Sequence, residues 1–404
     1  MTLVPGVRVR SLLMLMVAEV AVMTLWFSVT AVVPAMRSET FIPGWLVSWF
    51  TSGVQIGFVA GTLASAVLGL ADRIDGRYLF CASALIASAA NLAILAVPPD
   101  SAVIVALRFI TGVCMAGVYP VGMRLAAGWA AGDMGLLVGL LVGALTLGSA
   151  APHLFLALGD LDWRLTLQLG SAAAALGAGL ILLVAEGPAT RRAVRFAPRH
   201  VLRWWTDRPA RYANFGYLGH MWELYAMWAW LSVYLGQAFA APFAASADRY
   251  AALVTFAAIA LGGVGAVIAG FAADRVGRTI VTSTCMAISG GCALIVGVVF
   301  IDMPVLLIAI VLVWGLTIVA DSAQFSASVA ELSPPDAVGT MLTLQTSVGF
   351  LLTLASIHLV PWIAAEIGWR WVFAPLAIGP ALGIWAMLRL RAMPEAVKLA
   401  GGRR

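Results

Sequence analysis

Twelve runs of apolar residues, each bounded by charged or turn-forming residues, follow one another along the chain. The first six cover about 12–34, 45–71, 78–97, 102–123, 134–158 and 165–185. The second six cover about 212–239, 249–273, 280–301, 304–330, 338–363 and 372–390. Each is long enough to cross the roughly 30 Å core of a bilayer as a helix. No run alternates with the period of two that a membrane barrel needs, and a helix satisfies its own backbone hydrogen bonds where lipid cannot. The first run has small residues near Val33-Pro34-Ala35, as a signal peptide would, but it is too long and Glu19 interrupts it. It is read as a span. The pattern predicts an all-α polytopic membrane protein with 12 transmembrane helices.

Composition removes the alternatives. Of 404 residues, 62% are hydrophobic and 11% charged, against roughly 25% charged in a soluble domain. So few charges cannot cover a soluble fold, and disorder, a nucleic-acid module and a secreted disulfide scaffold are excluded with it. Cys81, Cys114, Cys285 and Cys292 all fall inside apolar runs without metal-ligand spacing and read as packing residues.

The net charge is +5, and the distribution of the basic residues gives it meaning. With the N-terminus inside, the inner segments hold 19 Lys and Arg and the outer loops hold 4: Arg37, Arg164, Arg249 and Arg370. That bias places both termini in the cytoplasm of a cell (inner) membrane protein. Residues 1–185 then form an N-terminal six-helix bundle and 212–391 a C-terminal one. A basic loop, 186–211, joins them on the inside, where it meets anionic headgroups, and 392–404 is a cytoplasmic tail.

The halves repeat. Glu19 and Glu223 are 204 residues apart, Asp72-Arg73 and Asp274-Arg275 are 202, and Gly112 and Gly315 are 203, as are Asp133 and Asp336. His153 and His358 are 205 apart, and Trp163-Arg164 and Trp369-Arg370 are 206. The pairs keep one order and lie six spans apart. An even number of spans makes the repeat parallel, about an axis along the membrane normal.

The loop after the second span reads Asp72-Arg73-Ile74-Asp75-Gly76-Arg77. The loop after the eighth reads Gly270-Phe271-Ala272-Ala273-Asp274-Arg275-Val276-Gly277-Arg278. The second resembles in full, and the first with one extra residue, the G-x-x-x-D-R-x-G-R signature of the major facilitator superfamily. Arg108-Phe109-Ile110-Thr111-Gly112 is similar to that family's R-x-x-x-G. The resemblance spans the whole chain. It implies two pseudo-symmetric six-helix bundles that rock about a central site. It also implies a gating role for Asp72, Arg73, Arg77, Asp274, Arg275 and Arg278, which would latch the halves through ion pairs. The run Gly262-Gly263-Val264-Gly265 lies mid-span and reads as close helix packing rather than a nucleotide loop.

Ionisable residues inside a membrane are costly and mark function. Glu19, Arg108, Glu223 and Asp321 lie inside spans, and His220 is three residues from Glu223, on the same helical face. These five are the candidates for substrate binding and proton coupling. Trp26, Gln55, Trp222, Tyr225, Trp228, Gln324 and Gln345 are candidate cavity-lining residues. Helix packing and the interfacial aromatic belt offer a plainer account of the aromatic ones. No cofactor, metal site or nucleic-acid partner is expected, and no nucleophile–base constellation of an enzyme is found.

The chain therefore reads as a secondary transporter of a small molecule or ion, acting as a monomer in the lipid bilayer by alternating access and coupled to protons. Arg108 favours uptake of a small organic or inorganic anion. Proton-driven export of an organic or drug-like compound is the alternative, although span five lacks the family antiporters' G-P-x-x-G-G element. A non-transporting receptor of the same fold is a third reading. The tail is too short for a signalling domain.

Overall fold

A computed structural model describes residues 5–131, 134–188 and 198–404, and gives Pro5, Ala71, Asp72, Met134 and Gly135 as backbone alone. Asp133 and the linker residues Arg191, Arg192 and Arg195 lie outside the described residues, as does the side chain of Asp72. Among the described residues there are helices and turns but no strand.

The chain divides into two compact units, Met1–Ala193 and Val194–Arg404. The first holds α1 (Pro5–Met23), α2 (Ser28–Glu39), α3 (Gly44–Leu68), α4 (Leu70–Arg73), α5 (Gly76–Ala93), α6 (Val103–Met115), α7 (Tyr119–Ala127), α8 (Met134–Leu158) and α9 (Trp163–Leu180). The second holds α10 (Arg203–Thr206), α11 (Arg208–Phe243), α12 (Ala247–Val276), α13 (Arg278–Ile295), α14 (Pro304–Ile318), α15 (Ser322–Leu332), α16 (Val338–Ile367) and α17 (Ile378–Arg391).

Eleven segments among the described residues are long and apolar enough to cross a membrane. One of them, Arg208–Val276, contains both α11 and α12, which part at Ala244, where φ is 45°. Counted as two, it brings the number to twelve. Some helices overrun the apolar runs and others stop short: the first segment extends over Gly6–Glu39 rather than 12–34, whereas Arg278–Ile295 ends before the run 280–301 does. A helix does not stop where its side chains turn polar, and its last turns stand in the headgroup layer.

Glycines set the closest approaches in both units. A Cβ on Gly112 of α6 would collide with the carbonyl oxygen of Val54 on α3, and one on Gly315 of α14 with that of Ala258 on α12. Two residues 203 apart thus do the same job in α3–α6 and α12–α14. Gly262 and Gly265 lie in the second contact, against Val319 and Leu316, as expected of a packing run.

The units differ where helices break. Span four is interrupted between α6 and α7, and span ten between α14 and α15, again 203 residues apart. Span one is also interrupted, between Met23 and Ser28. Its repeat α11 is one helix of 36 residues.

Candidate functional site

Each unit encloses a buried polar cluster. In the first, Arg108 of α6 is fully buried and points its guanidinium at the break in span one. Nη1 donates to the carbonyl of Leu25 at 2.8 Å and the hydroxyl of Ser28 at 3.1 Å. Nη2 donates to the carbonyl of Trp26, and Nε to that of Phe50 at 3.2 Å. An interrupted helix leaves carbonyls without partners, which neither lipid nor apolar side chains can satisfy. Arg108 satisfies them. The network continues from Ser28 to the Asn91 amide oxygen at 2.6 Å, and from the Asn91 amide nitrogen to Ser171 at 3.0 Å.

Glu19 of α1 is not among these partners. It is fully buried, with neither carboxyl oxygen hydrogen-bonded. Oε2 lies against Gly122 of α7, where a Cβ would overlap it. Trp26 is buried and edge-on to Phe58, with ring centroids 5.1 Å apart. Gln55 is fully buried, and its amide oxygen and nitrogen both lack partners. His153 is also buried with both ring nitrogens unpartnered.

In the second unit Glu223 of α11 is held at both oxygens. Ser289 of α13 donates to Oε2 at 2.8 Å, and the indole N–H of Trp314 of α14 donates to Oε1 at 2.8 Å. One turn away, Nδ1 of His220 lies 2.9 Å from Oδ1 of Asp321, the residue that precedes α15. The approach is close but not aligned as a hydrogen bond, since Oδ1 has no hydrogen-bond partner. Gln345 of α16 is fully buried with both amide atoms unpartnered, as Gln55 is in the first unit.

The aromatic residues of α11 divide. Tyr225 and Trp228 are buried, 5.7 Å apart, and Tyr225 packs on Phe350 at 5.0 Å. Trp222 instead lines an apolar groove of about 420 Å³ with Phe215, Leu218, Leu382 and Trp385. Gln324 accepts from Arg278 Nη1 at 2.6 Å.

That contact belongs to the signature loops. Arg278 also grips Glu331 of α15 with two parallel bonds of 2.6 and 2.8 Å, the strong bidentate form. In the first unit Asp75 caps α5 through the N–H of Arg77 and pairs with its guanidinium at 2.6 Å. The Arg77 side chain holds the Asp75 carboxyl below its ordinary pKa. These contacts of Asp75, Arg77 and Arg278 lie inside their own units. Arg73, Asp274 and Arg275 are exposed.

The sequence points to the five ionisable residues and to Arg278, but not to several of the residues that meet them. Ser289, Trp314, Gly122 and Glu331 escaped it because each is brought in from another helix. Among the described residues no three His, Cys, Asp or Glu side chains converge as a metal site.

A sequence model of the Major Facilitator Superfamily matches residues 213–404. That match lies within the second unit, and the chain as a whole is a multi-pass helical membrane protein. Its structure is similar to that of the nucleoside transporter NupG, solved in two forms. An aspartate-to-alanine mutant gives a TM-score of 0.73 at 17% identity, covering 94% of this chain and 99% of that one. The other form gives 0.71 at 15%, covering 95% and 99%. No curated protein matches the sequence.

Proposed function

We propose that the chain moves a small organic solute across the cell membrane by alternating access, coupled to protons. The observation that carries this reading is the contrast between Glu19 and Glu223, equivalent residues of the two halves. Glu19 is buried with no partner for either oxygen, whereas Glu223 receives one donor at each. A buried carboxylate without partners costs several kcal/mol or more, and a proton removes that cost. A carboxylate that accepts two hydrogen bonds is suited to bearing its charge. The two acids thus sit in unlike surroundings, one without donors and one with two, and movement of an acid between such surroundings is what coupling requires. His220 and Asp321 add a second titratable pair beside Glu223.

The expectation of an anion rested on Arg108. Four of that guanidinium's five N–H groups have acceptors in the protein, so it offers an anion little. The unpartnered amides of Gln55 and Gln345, one in each unit, favour an uncharged solute rich in hydrogen-bonding groups. A nucleoside, named for the similar solved structures, has that chemistry and is the first solute to test. The bias of 19 inner to 4 outer basic residues supports cytoplasmic termini.

The test is uptake by proteoliposomes under an imposed pH gradient, over a panel of nucleosides, organic anions and organic cations. Gradient-driven uptake of an uncharged solute is expected, with loss of the gradient dependence in Glu19→Gln and Glu223→Gln. Full, normally pH-dependent flux in both variants would remove the coupling role. Uptake confined to anions would remove the solute assignment.

A further inference from the structure

Asp321, Gln324, Ser328 and Glu331 stand at intervals of three, four and three residues. That spacing puts all four on one stripe of a helix. The stripe runs the length of α15, about 15 Å at 1.5 Å per residue. At one end Asp321 meets His220, with Glu223 of α11 and Cys285 of α13 also in its field. At the other end Glu331 takes both prongs of Arg278 and, through Oε2, the N–H of Ala400 at 3.1 Å. Between them Gln324 holds the third nitrogen of the same arginine. The turn before Ser322 separates α15 from α14, so the short helix is a segment distinct from the rest of its span.

The tail beyond α17 is fastened to the same place. Arg403 donates to the carbonyl of Asp274, and the carbonyl of Arg404 accepts from the Thr279 hydroxyl and from Arg391, each at 3.1 Å. Gly277, at φ 99°, lets the backbone oxygens of Arg403 and Arg404 approach where a Cβ would collide with them. Leu399 is fully buried beneath. Among the described residues the first unit shows no such stripe. The positions 203 earlier are Val118, Val121, Leu125 and Gly128, and Arg77 turns to Asp75 instead.

We infer that α15 is a lever joining the buried His220–Asp321 contact to the signature loop and the tail. Loss of the contact at Asp321 shifts α15 along its polar stripe, draws Gln324 and Glu331 from Arg278, and releases Ala400 and the tail. Gln324 and Glu331 are then positioning residues, acting on transport through Arg278. The inference rests on the reading of His220 and Asp321 as members of the transport site.

Hydrogen–deuterium exchange of the full chain in nanodiscs at neutral pH tests it. Glu331→Gln, which loosens the tail directly, is expected to raise exchange in residues 394–404 several-fold. Asp321→Asn, and His220→Gln from the opposite helix, are expected to raise it comparably while α16 and α17 exchange as in the parent. The lever is overturned if both remote variants leave the tail at the parental rate, if Glu331→Gln has no effect, or if faster exchange spreads over α16 and α17. Exchange does not read flux, so loss of transport in Asp321→Asn with a parental tail would sink the lever and leave the transport site standing.

Discussion

Glu19 sets its carboxyl against the bare α-carbon of Gly122, so that no side chain fits between them. Gly122→Ala forces the acid aside, and over-packing of this kind costs about 1–3 kcal/mol. Thermal denaturation in detergent is expected to show that loss, together with reduced flux in proteoliposomes. Adding Glu19→Ala makes room for the methyl, so the double variant recovers stability but not flux. Independent, additive losses in stability would refute the contact.

Arg108 is expected to act first on stability. Lysine offers three donors from a single point, where the break in span one and its surroundings engage four N–H groups of a planar fork. Arg108→Lys therefore leaves at least one buried acceptor unmet, at a cost of about 1–3 kcal/mol. The measurement is the unfolding midpoint of the purified protein. A lysine variant as stable as the parent would show that the carbonyls find other donors.

Trp314 supports Glu223 by a single hydrogen bond. Trp314→Phe keeps much of the aromatic packing and deletes the donor, a charge-assisted bond contributing about 1.5–3 kcal/mol. Coupled flux is expected to fall by roughly tenfold or more on that scale. In a chain already carrying Glu223→Gln, the same change is expected to add little. Equal effects in both backgrounds would separate the indole from the acid.

Asp75 gives a prediction in pH. Its carboxyl is held below the ordinary value, chiefly by the Arg77 side chain. A depressed carboxylate stabilises the fold above its ordinary range near pH 4 and loses that contribution as pH falls through the lower, folded value. Asp75→Asn keeps a capping oxygen but not the charge, so it is expected to flatten this acid-side loss. The pair is partly exposed, which limits the effect to about 1 kcal/mol or less. Asp75→Ala also removes the cap and is expected to cost about 1 kcal/mol more. Melting temperature measured across mildly acidic pH checks both.

The spans were legible because crossing a membrane demands length and apolarity, and both are written along the chain. The repeat was legible because charges are scarce enough for Glu19 and Glu223 to be paired by count. The break in span one was not. Thr24, Leu25, Trp26 and Phe27 contain neither glycine nor proline, and what makes the interruption tolerable is Arg108, more than 80 residues on. Trp222 shows the limit of periodicity. It shares a three-residue step with Tyr225 and Trp228, yet it faces an apolar groove because α16 and α17 decide which side of α11 they cover. The stripe from Asp321 to Glu331 was present as spacing. Only the position of Arg278 and the tail gives it a meaning.

The unbroken course of α11 has a consequence for how two copies of one scaffold drift apart. A helix that runs unbroken through the place where its repeat is interrupted needs no attendant there. The second copy accordingly holds Val311, buried, at the place that Arg108 fills in the first. Relieved of that duty, the second copy could spend its few polar residues elsewhere. It spent them on α15, along the stripe from Asp321 to Glu331. Duplication in this protein reads as a division of labour, with one copy mending its own backbone and the other left free to specialise.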